Sequence, residues 1–208
     1  MSVDYSLYLV TDRGILRGRD IFKAVEESIK GGVTLVQLRE KDISSLDFYH
    51  IALKMKELTH RYNVPFIIND RLDIALAVDA DGLHVGQEDL PVEAARRLLG
   101  PGKILGYSVS NIEDARHGEK NGADYLGAGT VYPTGSKLAA VSPIGIEILG
   151  NIKKAVSIPV VGIGGIGATN IREVKASGVD GISLISAILG SEDIAGTSAN
   201  LRRLWEES

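Results

Sequence analysis

Cysteine is missing from all 208 residues, so disulfides and thiolate metal centres are excluded. An excess of cations is missing too. Lys+Arg number 23 against 27 Asp+Glu, a net charge of −4, so any anion site must be local rather than a basic face for nucleic acid or a membrane surface. No apolar run approaches membrane-spanning length. The opening Met1-Ser2-Val3-Asp4-Tyr5 has no basic segment followed by an apolar run, unlike a secretory signal, and the expected setting is the cytoplasm. Neither a Ser/His/Asp arrangement nor a histidine pair at metal-ligand spacing occurs. His50, His60 and His117 fall on helical stretches, and His84 falls inside a strand pattern, where packing or support of a neighbour outweighs catalysis. No linker, low-complexity segment or shift in composition divides the chain, so residues 1–208 read as one catalytic domain.

What remains is an ordinary soluble composition, 44% hydrophobic and 24% charged, with a strong rhythm. Short apolar runs end in polar or glycine residues and are followed by helical stretches. The expected strands are Leu7–Thr11, Thr34–Leu38, Phe66–Asn69, Gly82–Val85, Ile104–Ser108, Tyr125–Gly129, Val160–Ile163 and Gly181–Ile185. They are rich in Val, Ile and Leu on both faces, as buried parallel strands are. Amphipathic stretches separate them: Asp20–Lys30, Ser45–Tyr62, Arg71–Val78, Pro91–Leu99, Ile112–Asn121, Ile144–Val156, Thr169–Ser177 and Glu192–Trp205. Several end at glycine: Gly31, Gly100, Gly122 and Gly178. Eight strand–helix units in this length match an α/β fold of the single (β/α)8 TIM-barrel kind, with a doubly wound open sheet as the alternative. Ligands bind at the carboxyl ends of the strands in either case.

Those ends carry chemistry. In Gln37-Leu38-Arg39-Glu40-Lys41, period two puts Gln37, Arg39 and Lys41 on one face. Two cations so placed suit a diphosphate, Arg39 by a forked contact and Lys41 as a point charge. The competing explanation is an internal ion pair of Arg39 with Glu40 or another rim carboxylate. Asn69-Asp70 and Asp89 end successive strands. Mg2+ takes carboxylate oxygens and shares its shell with water and substrate phosphates. Singly, Asp70 before Arg71–Val78 and Asp89 before Leu90-Pro91 read as helix caps; together, opposite Arg39 and Lys41, they gain as metal ligands. The Ile163-Gly164-Gly165-Ile166-Gly167 loop and Ile185-Ser186-Ala187-Ile188 stand where barrels bind a monophosphate, although either serves equally as a tight turn. The longest irregular stretch, Tyr132–Pro143, has the length of a lid; its Tyr132-Pro133-Thr134-Gly135-Ser136-Lys137 offers hydroxyls and a lysine, or is simply a solvated loop.

The chain resembles the thiamine-phosphate synthase family over nearly its whole length. The resemblance is carried in order by Tyr8-Leu9-Val10-Thr11-Asp12, Gln37–Lys41, Asn69-Asp70-Arg71, His84–Pro91, Gly106-Tyr107-Ser108, Gly122–Tyr125, Tyr132-Pro133-Thr134 and Gly162–Ile166. That resemblance implies an Mg2+-dependent transferase. It would join a hydroxymethylpyrimidine diphosphate to a thiazole monophosphate and release diphosphate by a largely dissociative path. By the same resemblance Arg39, Lys41, Asn69 and Lys137 hold the pyrimidine diphosphate with Gln37 nearby, and Ser108 lies beside the pyrimidine. Asp70 and Asp89 hold Mg2+. Thr134 and Ser136, with Gly165, Ile185 and Ser186, hold the thiazole phosphate; Arg39, Lys41, Ser108 and Lys137 are the groups expected to serve catalysis.

Two positions depart from the family pattern. Its lid usually reads Thr-x-Thr-Lys, and here it is Thr134-Gly135-Ser136-Lys137, which keeps the hydroxyl. A histidine often follows two residues after the pyrimidine serine, and here it is Ser110. The related thiazole tautomerase, thought to use that histidine, is one alternative; a non-catalytic barrel that senses thiazole phosphate is another. Absence of the histidine and retention of Lys137 favour the synthase, and the metal–diphosphate set disfavours the sensor. Small phosphorylated substrates are the expected partners, with neither nucleic acid nor membrane, and a homo-oligomer stays open.

Overall fold

A computed structural model describes residues 3–134 and 142–208. Eight strands form a closed parallel barrel in sequence order. They are β1 (Leu7–Val10), β2 (Leu35–Leu38), β3 (Phe66–Asn69), β4 (Gly82–Val85), β5 (Ile104–Val109), β6 (Tyr125–Gly129), β7 (Val160–Ile163) and β8 (Gly181–Leu184). The helices are α1 (Arg13–Leu16), α2 (Ile21–Lys30), α3 (Ser45–Arg61), α4 (Leu72–Ala77), α5 (Val92–Leu99), α6 (Ile112–Lys120), α7 (Gly145–Ala155), α8 (Ile171–Ala176), α9 (Ser186–Leu189) and α10 (Ile194–Glu206). The expected (β/α)8 TIM barrel is the observed fold, and the open sheet is excluded by the pairing of β1 with β8, where Leu7 stands opposite Ile182 and Leu9 opposite Leu184. All eight strands lie within about two residues of their expected limits. The short α1 and α9 were not expected, because one helical turn has no periodicity to read. None of the described helices is long and apolar enough to cross a membrane.

Helix α2 shows how local chemistry seats the wall. The Asp20 carboxylate accepts from the Lys23 backbone N–H at 2.9 Å and caps the first turn. Ile21, Ala24, Val25 and Ile29 recur at helical spacing and are all buried. Burying each of the large aliphatic side chains contributes roughly 1.5–3 kcal/mol. Glu26 and Lys30 pair one turn apart on the outer side. At the helix end Gly31 meets α10 so closely that a Cβ would strike the Ala195 carbonyl and the Ser198 side chain.

The apolar interior has two parts. One lies between strands and helices and includes Leu9, Phe48, Met55 and Trp205. The other fills the barrel with Tyr5, Tyr8, Val10, Leu35, Ile67, Tyr125 and Val161. Strand residues alternate in and out, so the inward residue next along β2, β3 and β4 is Gln37, Asn69 and His84, each at least nine-tenths buried. Polar side chains thus sit above a hydrophobic plug, on the same parity of the same strands. Gly106 on β5 supplies the space for this layer. A Cβ there would collide with His84 Nδ1 and with the Tyr125 ring and hydroxyl.

Gly106→Ala is therefore expected to destabilise the protein by about 1–3 kcal/mol, since neither rigid ring can retreat in a packed barrel. That corresponds to a fall in Tm of roughly 2–12 °C for a domain of this size. Gly102→Ala, where an added Cβ meets nothing within 4 Å, should leave Tm within about 1–2 °C. Thermal melts of both variants check the contrast.

Candidate active site

Above the plug lies a cavity of about 150 Å³ at the carboxyl ends of the strands. Cavities near this size admit one six-membered aromatic ring. Its wall carries a continuous row of polar groups. Gln37 Nε2 donates to the Tyr8 hydroxyl at 2.5 Å. The Tyr8 and Tyr125 hydroxyls are 2.8 Å apart. Tyr125 then meets His84 Nδ1 at 2.8 Å, and His84 Nε2 meets Ser108 Oγ at 2.9 Å. Burial pushes the His84 imidazole down to about 4, against a weaker opposing pull from Asp89, so the ring is neutral at physiological pH. Burial drives the Tyr8 and Tyr125 hydroxyls upward, so both keep their protons. His84, with both nitrogens engaged, is a supporting residue, in agreement with its strand position.

The rim beyond is charged. Arg39 Nη1 lies 3.6 Å from Asp12 Oδ2, and its backbone N–H donates to the buried Thr11 hydroxyl at 3.0 Å. Glu40 pairs with Arg13, Nε to Oε1 2.7 Å. Arg39 is thus ion-paired, as one explanation of the motif anticipated, but to Asp12 rather than to its neighbour. Lys41 Nζ bonds Asp70 Oδ2. Asp70 adopts a left-handed backbone, φ 61°, which costs of order 1 kcal/mol and which Asp tolerates better than most residues. Its N–H is held by the His84 carbonyl at 2.8 Å. The cap explanation does not hold for either acid. Arg71 is the N-cap residue of α4 and Pro91 that of α5, and neither helix has a side-chain cap. Asp89 instead reaches back, its Oδ2 accepting from the Gly86 N–H at 2.8 Å.

Asp89 and Asp70 face one another. Desolvation raises the Asp89 carboxyl above its ordinary 3.8, and the adjacent Asp70 raises it further, while the Gly86 N–H and Lys41 pull the other way. Two adjacent carboxylates, with Lys41 bonded to Asp70, form a hard-oxygen donor set that fits Mg2+ sharing its shell with water and phosphate. Among the described residues no group of three or more His, Asp or Glu forms a fuller cage. Two carboxylates leave most of an octahedral oxygen shell to water and phosphate, so the fit is to a shared cation.

A second, smaller cavity of about 30 Å³ adjoins the first. Thr134, Gly165, Ile185 and Ser186, four of the residues expected around the thiazole phosphate, line it together. Gly164 and Gly165 have φ of 95° and 67°. A Cβ on Gly165 would strike Tyr132 and Pro133, so the turn is open to glycine alone. The single turn α9 starts at Ser186; its Ile188 and Leu189 N–H groups bond the Ile185 carbonyl, and the Ser186 and Ala187 N–H groups come before that first bond. The two cavities share Ile163, Ser183 and Ile185. The Ser183 hydroxyl is buried there without a partner among the described residues. Gln37, Arg39, Asn69 and Ser108 all line the first cavity, and Lys41, Asp70 and Asp89 form the adjoining rim. Ser136 and Lys137 lie outside the described residues. Sequence reasoning passed over Asp12, Tyr8, Tyr125 and Ser183. Asp12 had a readable signal, since it follows β1 as Asp70 follows β3.

Comparison with known proteins places these features in a family. The family model described as thiamine monophosphate synthase matches residues 7–188. The thiamine-phosphate synthase of Desulfitobacterium hafniense (strain Y51) is 58% identical over 205 residues, covering 99% of each chain. That of Alkaliphilus oremlandii is 54% identical, covering 97% of this chain and 96% of the other. Among solved structures, thiamine phosphate pyrophosphorylase from Pyrococcus furiosus superposes with a TM-score of 0.90 at 44% identity, over 99% of this chain and 97% of that one.

The paired carboxylates generate a stability test. Asp89 titrates higher folded than unfolded, so its ionisation destabilises the protein. That loss is absent at acid pH, develops as pH rises through 3.8, and is complete above the raised folded value. Asp89→Asn is thus expected to raise Tm at pH 7 by roughly 1–4 °C without added metal, and to leave it unchanged near pH 3. Mg2+ should raise the Tm of the parent more than that of the variant. Equal Mg2+ responses would remove Asp89 from the ligand set.

Proposed function

The chain belongs to the thiamine monophosphate synthase family and acts as a transferase in thiamine biosynthesis, and on that premise we propose how its rim divides the work. The observation that carries the reading is the pair of adjoining cavities. One has the size of an aromatic ring and ends at Arg39; the other has a glycine turn and a helix start suited to a monophosphate; they meet at Ile163, Ser183 and Ile185. A pyrimidine ring in the first and a thiazole phosphate in the second bring the methylene carbon and the thiazole nitrogen together at that shared wall.

The reaction needs no acid or base. The methylene carbon–oxygen bond breaks with its electron pair leaving on the diphosphate, helped by electron donation from the aminopyrimidine. The thiazole nitrogen lone pair forms the new carbon–nitrogen bond, and no proton moves. The residue inventory agrees: His84 is neutral and engaged at both nitrogens, so it offers no free base. Arg39 and Lys41 stabilise charge as it develops on the leaving diphosphate, exchanging their carboxylate partners Asp12 and Asp70 for phosphate oxygens. Gln37 and Ser108 orient the ring, and Asn69 binds beside them. Asp70 and Asp89 would hold Mg2+, which when bound supplies further neutralisation of the leaving diphosphate. Thr134, Gly165, Ile185 and Ser186, with Ser136, hold the thiazole phosphate, and Lys137 acts on the diphosphate.

Incubation with both phosphorylated substrates and Mg2+ should yield thiamine phosphate, read by fluorescence after oxidation. Lys41→Ala is expected to lower kcat by about a hundred- to a thousandfold, the usual effect of losing one group aimed at developing charge. Lys137→Ala should lower turnover about ten- to a thousandfold with little change in Tm. Ser186→Ala should raise KM for the thiazole phosphate and leave KM for the pyrimidine diphosphate nearly unchanged. Normal kcat in Lys41→Ala would remove that lysine from the leaving-group site.

A further inference from the structure

Every hydroxyl in the row from Gln37 to Ser108 has one proton to give, so the direction of each bond follows from the one before it. Gln37 Nε2 donates to Tyr8 at 2.5 Å. Tyr8 must then direct its own proton to Tyr125, 2.8 Å away, and Tyr125 must direct its proton to His84 Nδ1, also at 2.8 Å. A neutral imidazole that accepts at Nδ1 carries its proton on Nε2. Nε2 therefore donates to Ser108 Oγ at 2.9 Å, and the Ser108 proton is turned away from His84. Gln37, with an N–H committed to Tyr8, keeps its Oε1 for the cavity. Gln37 and Ser108 both line that cavity. One end of the row thus presents an acceptor and the other a donor.

We propose that Tyr8, Tyr125 and His84 are positioning residues that lock this polarity, so that the cavity selects a ring edge carrying an exocyclic amino group beside an unprotonated ring nitrogen, and rejects the oxo ring whose edge reads in reverse. The inference rests on the reading of this cavity as the pyrimidine site. An aminopyrimidine edge gives its amino N–H to Gln37 Oε1 and receives the Ser108 proton on its ring nitrogen. The 4-oxo analogue sets carbonyl against Oε1 and ring N–H against the Ser108 proton. Accepting it requires the Gln37 amide to turn over and every proton along the row to reverse. Bulk water does not reach the middle of the row, where Tyr8 and Tyr125 are 2% and 0% exposed. A site whose polar groups are left unpaired by the wrong ligand discriminates far more strongly than one that relies on shape.

The test is calorimetric binding without the thiazole substrate, so that nothing turns over. The ligands are the monophosphate of 4-amino-5-hydroxymethyl-2-methylpyrimidine, its 4-oxo counterpart, and inorganic diphosphate. The parent is expected to prefer the amino compound at least about a hundredfold. Tyr125→Phe keeps the ring and cuts the row in the middle; its preference should fall at least about tenfold, with diphosphate affinity within about twofold of the parent. Tyr8→Phe removes the bonds to Gln37 and to Tyr125 and should shift the preference in the same direction, which keeps the question open to decision if Tyr125→Phe does not fold. A purely structural role would lower Tm and weaken all three ligands alike with the preference intact, and that result overturns the proposal. So does a parent that does not discriminate. A parent that binds diphosphate but neither pyrimidine would instead remove the pyrimidine site itself.

Discussion

The pairing of β1 with β8 closes the sheet, and in a closed sheet each strand has only one face that can point inward. Parity then decides the character of the centre. Leu35 and Ile67 belong to the dry plug, and Gln37 and Asn69 follow them by two residues on the same strands. A shift of one residue in any strand would put its polar group into the helix-facing core and an apolar one into the mouth. The hydrophobic packing and the reactive surface therefore share a single register.

Charge is arranged differently from polarity. The uncharged row from Gln37 to Ser108 lies deep, where hydrogen bonds are strong and unmet groups costly. The ionised groups stand at the rim in compensating pairs, Arg39 with Asp12, Arg13 with Glu40 and Lys41 with Asp70. Each pair keeps at least one member in reach of solvent at the rim, so an incoming anion can compete for the cation. Asp89 is the exception at the rim: burial and the like charge of Asp70 both oppose its ionisation.

Fold and rim were largely legible in the sequence because both depend on local pattern. Val, Ile and Leu runs locate strands, and residues just beyond each run must lie on one rim. The failures have equally local causes. Helices α1 and α9 are single turns. Taken singly, Asp70 and Asp89 could also be read as caps, because an acid before a helix reads the same whether its side chain turns to the helix or away from it; the left-handed φ of Asp70 turns it away. Tyr8 and Tyr125 stand 117 residues apart in sequence, and their rings belong to the core. Only closure of the barrel brings their hydroxyls together. The partner of Arg39 is the other rim carboxylate that the ion-pair reading allowed: Glu40 is its neighbour in sequence, but Asp12, just after β1, is its neighbour in space.

Gly106 has a consequence for how such a site is mapped. Its contribution is an absence: the volume that lets the Tyr125 hydroxyl and the His84 imidazole approach one another. Truncation scanning, which replaces side chains by alanine and records what is lost, treats glycine as having nothing to remove and passes over it. The architecture of this mouth depends on vacancies as much as on groups, and those are revealed only by mutagenesis that adds atoms.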